Sequence, residues 1–205
     1  DVAGNITPNA SSRIYDDKGR LITTVHAEEN RIPVPISQVP QNLQNAFVAA
    51  EDVRFYEHHG VDPRGILRAV FANLTSGNAT GQGGSTITQQ LARNAFLTQE
   101  QTLKRKLLEV VLAFEIESKY TKKQILEMYM NQIYFGQGCY GIQTAAHVYF
   151  GKDVKDLSLS QCAMLAGLPN SPNYYSPFRS LEAAKYRQGI VLDQMAKYGY
   201  ISAAD

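Results

Sequence analysis

The 205-residue sequence has few cysteines, little net charge and no long apolar run, and each absence excludes a class of protein. Its two cysteines, Cys139 and Cys162, are too few for a disulfide framework and form no C-x-x-C or Cys/His cluster with metal spacing. A formal net charge of +1 provides no global field to recruit nucleic acid, so an anion site has to be a local arrangement. No run of about 18 apolar residues is present to span a membrane.

Two common enzyme motifs are also missing. A P-loop requires Gly-Lys-Ser or Gly-Lys-Thr, but the residue before Ser85 is Gly84. The H-E-x-x-H spacing, which places two zinc-binding histidines on one helical face, does not occur around His58 and His59. The sequence therefore argues against a nucleoside triphosphate site at Ser85 and against a zinc-protease site.

The composition predicts a globular domain. A hydrophobic fraction of 44% and a charged fraction of 19% are ordinary for a folded protein, and the length fits one domain. We expect an extended N-terminal segment at 1–36, a catalytic core at 37–177, and a C-terminal helix with the start of a linker at 178–205. Because the chain begins at Asp1 without an initiator Met, we also expect a piece of a longer protein whose anchor or second domain is absent.

The local signals predict a mainly α fold with a small extended or β element at the N-terminus. Short apolar runs in 13–34 flank a hairpin turn at Asp17-Lys18-Gly19, whereas helical signals dominate after Pro40. Helix starts are indicated by Asp62-Pro63 and by the capping boxes Thr121/Gln124 and Ser158/Gln161. The last helix is expected over about Leu181 to Tyr198.

A further helix is expected after Thr98, reaching about Lys119. Its apolar residues recur at spacings of four, three, one and three, which predicts one buried stripe made of Leu103, Leu107, Val110, Val111 and Phe114.

The stretch "AEDVRFYEHHG" at 50–60 places two adjacent carboxylates, Glu51 and Asp52, at the end of an apolar helix. The helix dipole favours cations at that end, so a compensating group is expected. In a purely structural interpretation, His58 or His59 is a hydrogen-bonding partner and Gly60 is a turn residue.

The stretch "GQGGSTITQQLARN" at 81–94 runs from glycines into a polar helix entrance. Glycines let a ligand approach the backbone, and the free N–H groups of a first helical turn favour an anion such as phosphate. In the structural alternative, Ser85 simply caps the helix and the glycines simply turn the chain.

The stretch "LKRKLLEVV" places Arg105 and Lys106 on the same side of a helix as Glu109. Two interpretations remain open for this cluster. It is either a structural ion pair or an active-site group whose cations complement an anionic substrate.

These segments follow motifs in a fixed order: E-D-x-x-F-x-x-H-x-G from Glu51 to Gly60, G-x-S-T-I-T-Q-Q-L from Gly83 to Leu91, R-K-x-x-E from Arg105 to Glu109, and I-L-E-x-Y-x-N from Ile125 to Asn131, before the closing "LAGLPNSPNYYSP". Together they resemble the glycosyltransferase (transglycosylase) domain of class A penicillin-binding proteins and monofunctional peptidoglycan transglycosylases, glycosyltransferase family 51. The resemblance covers about 37 to 177.

The resemblance implies a lysozyme-like, two-lobed helical fold that polymerises lipid II into β-1,4-linked glycan strands with inversion and release of undecaprenyl diphosphate. Glu51 would be the general base on the acceptor 4-hydroxyl, and its burial against Phe55 would raise its pKa toward neutrality. Glu109 is the second catalytic candidate. The implied substrate-binding residues are Asp52, Phe55, His58, Ser85, Thr86, Gln89, Gln90, Arg93, Arg105, Lys106 and Asn131.

The resemblance implies no obligatory cofactor. Glu109 would organise the cations around the diphosphate, and the alternative is a divalent cation, Mg²⁺ or Mn²⁺, shared with the diphosphate. The implied partners are lipid II, the growing glycan strand and the membrane surface, together with a fused transpeptidase domain and an anchor outside this chain. The implied location is the outer face of the bacterial cell membrane, and phosphoglycolipids such as moenomycin are the expected inhibitors. We also expected the apolar surface around Ile66 to Leu74 to contact lipid.

Two other functions compete with this interpretation. A lytic enzyme of the same fold would cleave the bond that a synthase makes, but it needs a proton donor for the leaving sugar, whereas a diphosphate leaves without one. The cationic cluster therefore favours synthesis. A catalytically silent domain that binds lipid-linked precursor or glycan is the second alternative, and the presence of Glu51 and Glu109 argues against it.

Overall fold

The computed structural model describes residues 12–15, 21–25, 31–68, 84–96, 102–202 and 204. Within these ranges the chain is mainly helical, which confirms the predicted fold class. The helices are α1 Gln41–Glu51, α2 over 63–68, α3 Ile87–Phe96, α4 Leu103–Lys119, α5 Lys122–Gln132, α6 Ile142–Phe150, α7 Leu159–Gly167, α8 Pro172–Tyr175 and α9 Leu181–Lys197. Single 3₁₀ turns occupy Ile36–Gln38, Val154–Asp156 and Leu168–Asn170.

The extended N-terminal element is an antiparallel hairpin. Strand β1, Ser12–Tyr15, pairs with β2, Leu21–Val25, so that Ser12 lies opposite Val25. The predicted turn at 17–19 lies outside the described residues. The extended structure expected within 13–34 thus includes all of β2 and all but the first residue of β1.

The capping signals place several helix starts correctly. Thr121 and Gln124 form a capping box at α5, and Ser158 and Gln161 form one at α7. Pro63 begins α2, and the carbonyl of Asp62 accepts from the amide of Ile66 (3.1 Å). These signals succeed because each one joins groups only three or four residues apart.

A buried apolar core runs through α1, α3, α5, α7 and α9. Within it, the ring of Phe47 of α1 makes edge-to-face contacts with the rings of Tyr129 and Phe135. The ring centres are 5.7 Å and 6.0 Å apart. Helix α1 packs on α7 and α9, while α3 packs on α4 and α5. The C-terminal end of α1 therefore lies where these two groups of helices meet.

Helix α4 corrects the predicted apolar stripe. Thr102 caps the helix by accepting from the amide of Arg105 (3.1 Å), while Thr98 lies outside the described residues. The buried residues are instead Glu109, Ala113 and Ile116. Leu103 is 86% exposed and Leu107 69% exposed, and Val111 and Phe114 are also exposed. The stripe was wrong because periodicity identifies an apolar face but does not say what covers it; here α3 packs against the other face.

Candidate active site

The carboxyl of Glu51 lies in a cleft at the C-terminal end of α1. The cleft is lined by residues from four segments of the chain, within 49–54, 62–68, 84–93 and 169–170. Ser85, Thr86, Gln90 and Arg93 line the same cleft as Glu51. The structure thus brings the acidic side chain of the first motif beside the polar helix entrance of the second.

One oxygen of Glu51 is held by a hydrogen bond and the other is not. Gln90 Nε2 donates to Glu51 Oε2 (3.1 Å), and the hydroxyl of Tyr129 donates to Gln90 Oε1 (3.3 Å), which fixes the orientation of that amide. Glu51 Oε1 is buried and accepts no hydrogen bond from the described residues. Its nearest cation is Arg187 of α9, whose Nη2 lies 3.8 Å away.

Burial raises the pKa of Glu51 above its ordinary value. The hydrogen bond from Gln90 and the charges of Arg187 and Arg93 oppose that increase, while Asp52 adds to it. A carboxyl of this kind is a stronger proton acceptor than an exposed glutamate, and one of its oxygens accepts no hydrogen bond from the described residues. Both properties suit a general base.

The Asp52 carboxylate at the end of α1 is stabilised by donors from outside that helix. Its Oδ2 accepts from the amide of Ile87 (3.0 Å), the first residue of α3. The carboxylate therefore faces the positive end of the α3 dipole, which offsets the unfavourable end of α1. His58 Nε2 is the second partner of Oδ2, at 2.7 Å.

His58 and Gly60 tie the first motif to the helices around it. His58 Nδ1 accepts from the amide of Gly60 (3.1 Å), so Nε2 carries the proton that is donated to Asp52. Gly60 adopts a φ of +105°, and a Cβ there would lie 3.2 Å from the backbone of Ala113 in α4. The geometry thus supports the structural interpretation, in which His58 is a hydrogen-bonding partner and Gly60 is a turn residue.

We predict that Asp52→Ala lowers the free energy of unfolding by about 3 kcal/mol, because two buried donors, on Ile87 and His58, lose their acceptor. Urea unfolding followed by circular dichroism measures this change. The matched control is Asp153→Ala, since Asp153 also pairs with a histidine, His147 (3.1 Å), but on the exposed surface. It should cost clearly less than Asp52→Ala, because exposed ion pairs contribute little to stability. Equal losses in the two variants would contradict the structural role of Asp52.

The entrance to α3 differs from the sequence expectations in two ways: Ser85 does not cap the helix, and several first-turn amides are not free. The capping residue is Thr86, whose Oγ1 accepts from the amide of Gln89 (3.1 Å) while Gln89 Oε1 accepts from the amide of Thr86 (3.0 Å). The Ile87 amide donates to Asp52. The amides of Thr86, Ile87 and Gln89 are therefore already paired with protein groups and are not free to bind an anion.

Polar and cationic side chains form a cluster around Glu109, which is fully buried. Lys106 Nζ donates to Glu109 Oε1 (2.5 Å) and to Ser85 Oγ (2.8 Å). Arg93 Nη1 lies 3.9 Å from Glu109 Oε2, an oxygen without a hydrogen bond from the described residues. Arg105 is half-buried in the first turn of α4. Glu109 thus holds Lys106 and Arg93 beside Ser85, which lines the cleft together with Arg93.

Helix α3 connects this cluster to Glu51. Gln90 and Arg93 are three residues apart and share one helical face. Gln90 contacts Glu51 and Arg93 faces Glu109. A substrate lying along this face would meet a proton acceptor at one end and two cations at the other.

Six of the expected substrate-binding residues do not line the cleft. Two of them, Arg105 and Lys106, lie on α4, and the other four are Phe55, His58, Gln89 and Asn131. Phe55 is fully buried, and the centre of its ring lies 5.1 Å from that of Tyr56 and 4.6 Å from Lys122 Nζ. Asn131 bonds the backbone of Val34 through both its Oδ1 (2.9 Å) and its Nδ2 (2.8 Å). In this structure the latter four side chains support the site and do not present a surface to a ligand.

Two residues around Glu51 were missed by the sequence interpretation. Tyr129 lies within the I-L-E-x-Y-x-N motif, and that position could have been included. Arg187 lies outside the motifs used. Its signal is a charged residue within an otherwise apolar helical series, Ala184, Arg187, Val191 and Met195, all of which are buried.

The residues near Glu109 do not fit a resident metal ion. Among the described residues, no group of three or more His, Cys, Asp or Glu side chains could hold one. Both oxygens of Glu109 face cationic nitrogens, which would repel a divalent cation. The donor set instead suits an anion with several charged oxygens.

A family model described as Transglycosylase matches residues 18–196. The chain is 48% identical over 197 residues to penicillin-binding protein 1F of Bacillus subtilis (strain 168), covering 96% of this chain and 27% of that protein. It is 52% identical over 190 residues to penicillin-binding protein 1A of Escherichia coli (strain K12), covering 93% and 22%. The chain therefore spans about a quarter of the length of these relatives.

A solved structure is similar as well. The 2.6 Å crystal structure of penicillin-binding protein 1A from Haemophilus influenzae aligns with a TM-score of 0.50 at 27% sequence identity. The alignment covers 95% of this chain and 19% of that one.

Proposed function

Because the chain belongs to the transglycosylase family, we propose that it is a peptidoglycan glycosyltransferase that polymerises lipid II into β-1,4-linked glycan strands. The observation that carries this proposal is the pairing of a buried carboxyl with a cationic cluster in one polar region. Glu51 lies in the cleft with one oxygen that accepts no hydrogen bond from the described residues, and Lys106 and Arg93 converge on Glu109 at the other end of the α3 face that carries Gln90 and Arg93.

The proposed reaction is a single displacement. The 4-hydroxyl oxygen of the acceptor sugar attacks the anomeric carbon of the growing strand while its proton passes to the Glu51 carboxylate. The bond from the anomeric carbon to the diphosphate oxygen breaks, and the electron pair leaves with undecaprenyl diphosphate. Attack opposite the leaving group inverts the α linkage to β.

The leaving diphosphate gains negative charge as that bond breaks. Lys106, Arg93 and the hydroxyl of Ser85 are positioned to stabilise it, since fixed donors need no rearrangement during the reaction. Glu109 keeps Lys106 and Arg93 in place. We propose that the protein holds no resident metal, and that Mg²⁺ or Mn²⁺ acts, if at all, bound to the diphosphate.

The cationic cluster also decides between synthesis and cleavage. A lytic enzyme of this fold would have to protonate a leaving sugar hydroxyl, and a general acid is required where the leaving group departs. The groups at that end of the site are Lys106 and Arg93 around an already paired carboxylate. They suit a departing diphosphate, so synthesis remains the better proposal.

We propose that the exposed apolar face of α4 rests on the membrane that carries the lipid-linked substrate. This α4 face consists of Leu103, Leu107, Leu108, Val111 and Phe114, all exposed. It lies opposite the buried residues of the same helix. Among the described residues, no helix is long and apolar enough to cross a membrane. The surface around Ile66 to Leu74 was also expected to contact lipid. Ile66 and Leu67 are exposed apolar residues there, and 69–74 lie outside the described ranges.

We predict that the double variant Leu107→Glu/Val111→Glu binds lipid vesicles about tenfold more weakly than the parent, because two apolar contacts are lost and two charges face the lipid. Flotation with vesicles of anionic and neutral phospholipids measures the change. The control, Val148→Glu/Tyr186→Glu, alters exposed apolar residues on α6 and α9. Unchanged binding by the α4 variant would remove the membrane role of this face.

The length of the relatives supports a further part of the proposal. This chain covers about a quarter of proteins named as penicillin-binding proteins. We propose that it functions as the glycosyltransferase domain of a longer bifunctional protein, with a fused transpeptidase domain and a membrane anchor, at the outer face of the bacterial cell membrane.

The test of the proposed function is the conversion of radiolabelled lipid II by this chain in detergent or vesicles. The expected product is a polymer that remains at the origin of a chromatogram and becomes small again after muramidase digestion. Release of short fragments from preformed glycan would indicate a lytic enzyme. Tight binding of lipid II without conversion would indicate a binding domain.

A further inference from the structure

Arg187 approaches the unbonded oxygen of Glu51 from α9. Its Nη2 lies 3.8 Å from Glu51 Oε1, which is too far for a hydrogen bond but within the range of a direct charge interaction. That oxygen has no hydrogen bond from the described residues, although it is buried. The guanidinium is therefore the positive charge that faces the unbonded oxygen of the proposed base.

The Arg187 side chain is held in this position by groups other than Glu51. It is only 7% exposed, and its Nε donates to the carbonyl of Gly167 at the end of α7 (3.3 Å). Its guanidinium also lies 5.7 Å from the centre of the Tyr175 ring. These contacts fix the charge without placing a donor on Glu51 Oε1.

Gly167 leaves the space through which the Arg187 stem passes. A Cβ at residue 167 would lie 2.8 Å from Arg187 Cγ, closer than real contacts allow. Helices α7 and α9 both pack on α1, whose last residue is Glu51. The packing of three helices thus brings a buried cation to the end of the cleft where Glu51 lies.

We propose that Arg187 is a positioning residue of the transfer reaction, which keeps the Glu51 carboxylate ionised without forming a hydrogen bond to its Oε1. A hydrogen bond to Oε1 would lower the basicity of the carboxylate further, whereas a charge at 3.8 Å stabilises the anion through the charge interaction alone. The inference rests on the proposed function, in which Glu51 is the base. It adds a residue on α9 that lies outside the five sequence motifs from Glu51 to the closing "LAGLPNSPNYYSP".

Other charged groups around Glu51 do not replace Arg187. Asp52 adjoins it on the chain and opposes its ionisation, while Arg93 of α3 favours ionisation less than Arg187 does. Tyr129 of α5 stays neutral, because burial raises its pKa well above the ordinary value. In α7 the one ionisable side chain is Cys162, whose pKa burial raises to about 12. Arg187 is thus the largest charge contribution in favour of the carboxylate form.

The test is the pH dependence of kcat/KM for lipid II polymerisation by Arg187→Gln. Its acid limb is expected to move to higher pH by about one unit, since an opposite charge at this distance lowers a carboxyl pKa by about that amount or more. Activity on the acid limb should fall about tenfold and recover as the pH rises. Arg187→Lys should keep its limb closer to that of the parent. Lys185→Gln removes an exposed cation of the same helix and should leave the limb unchanged.

A second measurement does not depend on activity. Titration of the Glu51 carboxyl carbon by ¹³C NMR, assigned by its loss in Glu51→Gln, should give a higher pKa in Arg187→Gln. Should Arg187→Gln fail to fold, Gly167→Ala displaces the arginine stem, keeps its charge and is expected to move the limb in the same direction. Lower activity at every pH with an unmoved limb and an unmoved carbon titration would overturn the proposal and leave Arg187 a structural tie. A parent chain without polymerisation would instead refute the proposed function.

Discussion

Glu51→Gln is expected to lower the polymerisation rate by about 10²–10⁴-fold, because the amide cannot accept the proton of the attacking hydroxyl. The change keeps the size of the side chain and an oxygen that can accept from Gln90 Nε2. Steady-state conversion of lipid II measures the loss. Binding of moenomycin, which resembles the donor, should stay within about twofold of the parent, since the cationic cluster around Glu109 is untouched.

The same variant carries a stability prediction with a defined sign. Burial raises the pKa of Glu51 in the folded protein, so between the ordinary and the raised pKa the folded state binds more protons than the unfolded state. Stability is therefore lost as the pH rises through that interval, at about 1.4 kcal/mol for each unit of the increase. Glu51→Gln removes this loss, and its melting temperature at neutral pH should equal or exceed that of the parent. The difference should vanish below about pH 4.

Near-normal turnover by Glu51→Gln would refute its role as the base. A matched control is Glu127→Gln, since Glu127 also pairs with the protein through one oxygen, accepting from the amide of Ile36 (2.7 Å), but lies outside the cleft lining. It should polymerise lipid II at nearly the parent rate. A strong loss in both variants would show that the assay reports folding and not proton transfer.

The elements of this fold that the sequence predicted are those set by local chemistry. Capping boxes such as Thr121/Gln124 close within four residues, so their signal is complete in the sequence. The two strands follow from short apolar runs on either side of a turn. The motif residues Glu51, Gln90 and Arg93 were placed in one region because the resemblance carried three-dimensional information that spacing alone does not hold.

What the sequence could not predict depends on partners from distant segments. The carboxylate of Asp52 is explained by the first amide of α3, and no property of residues 50–60 indicates that helix end. Ser85 is a reasonable cap by residue type, but Thr86 takes that role because Gln89 is correctly spaced to complete its box. Ser85 is thereby left to bond Lys106.

The sequence also failed to predict which face of α4 is buried. Its leucines are regular enough to predict an apolar face, but the protein packs the face of Glu109 against α3 and leaves Leu103 and Leu107 exposed. A buried carboxylate is costly unless cations compensate for it, and Lys106 with Arg93 supplies them. The sequence placed these charges together, yet the identity of the buried face required the tertiary structure.

This buried cluster leads to the second large prediction. Lys106→Ala is expected to lower polymerisation about 10²–10³-fold by removing a fixed cation from the leaving diphosphate. It should also lower the free energy of unfolding by about 2 kcal/mol, because Glu109 loses its charge-assisted hydrogen bond inside the protein. Lys119→Ala breaks an exposed pair with Glu115 on the same helix and should cost less than about 0.5 kcal/mol, with full activity.

The two effects of Lys106→Ala can be separated by adding Glu109→Gln. The double variant no longer buries an unpaired carboxylate, so its stability should return toward that of the parent. Its activity should stay low, since the diphosphate still lacks the ammonium group that Ser85 and Glu109 hold in place. Moenomycin binding should be weakened in both variants. If activity and stability instead recover together, Lys106 serves the fold through Glu109 and the diphosphate site lies elsewhere in the cleft.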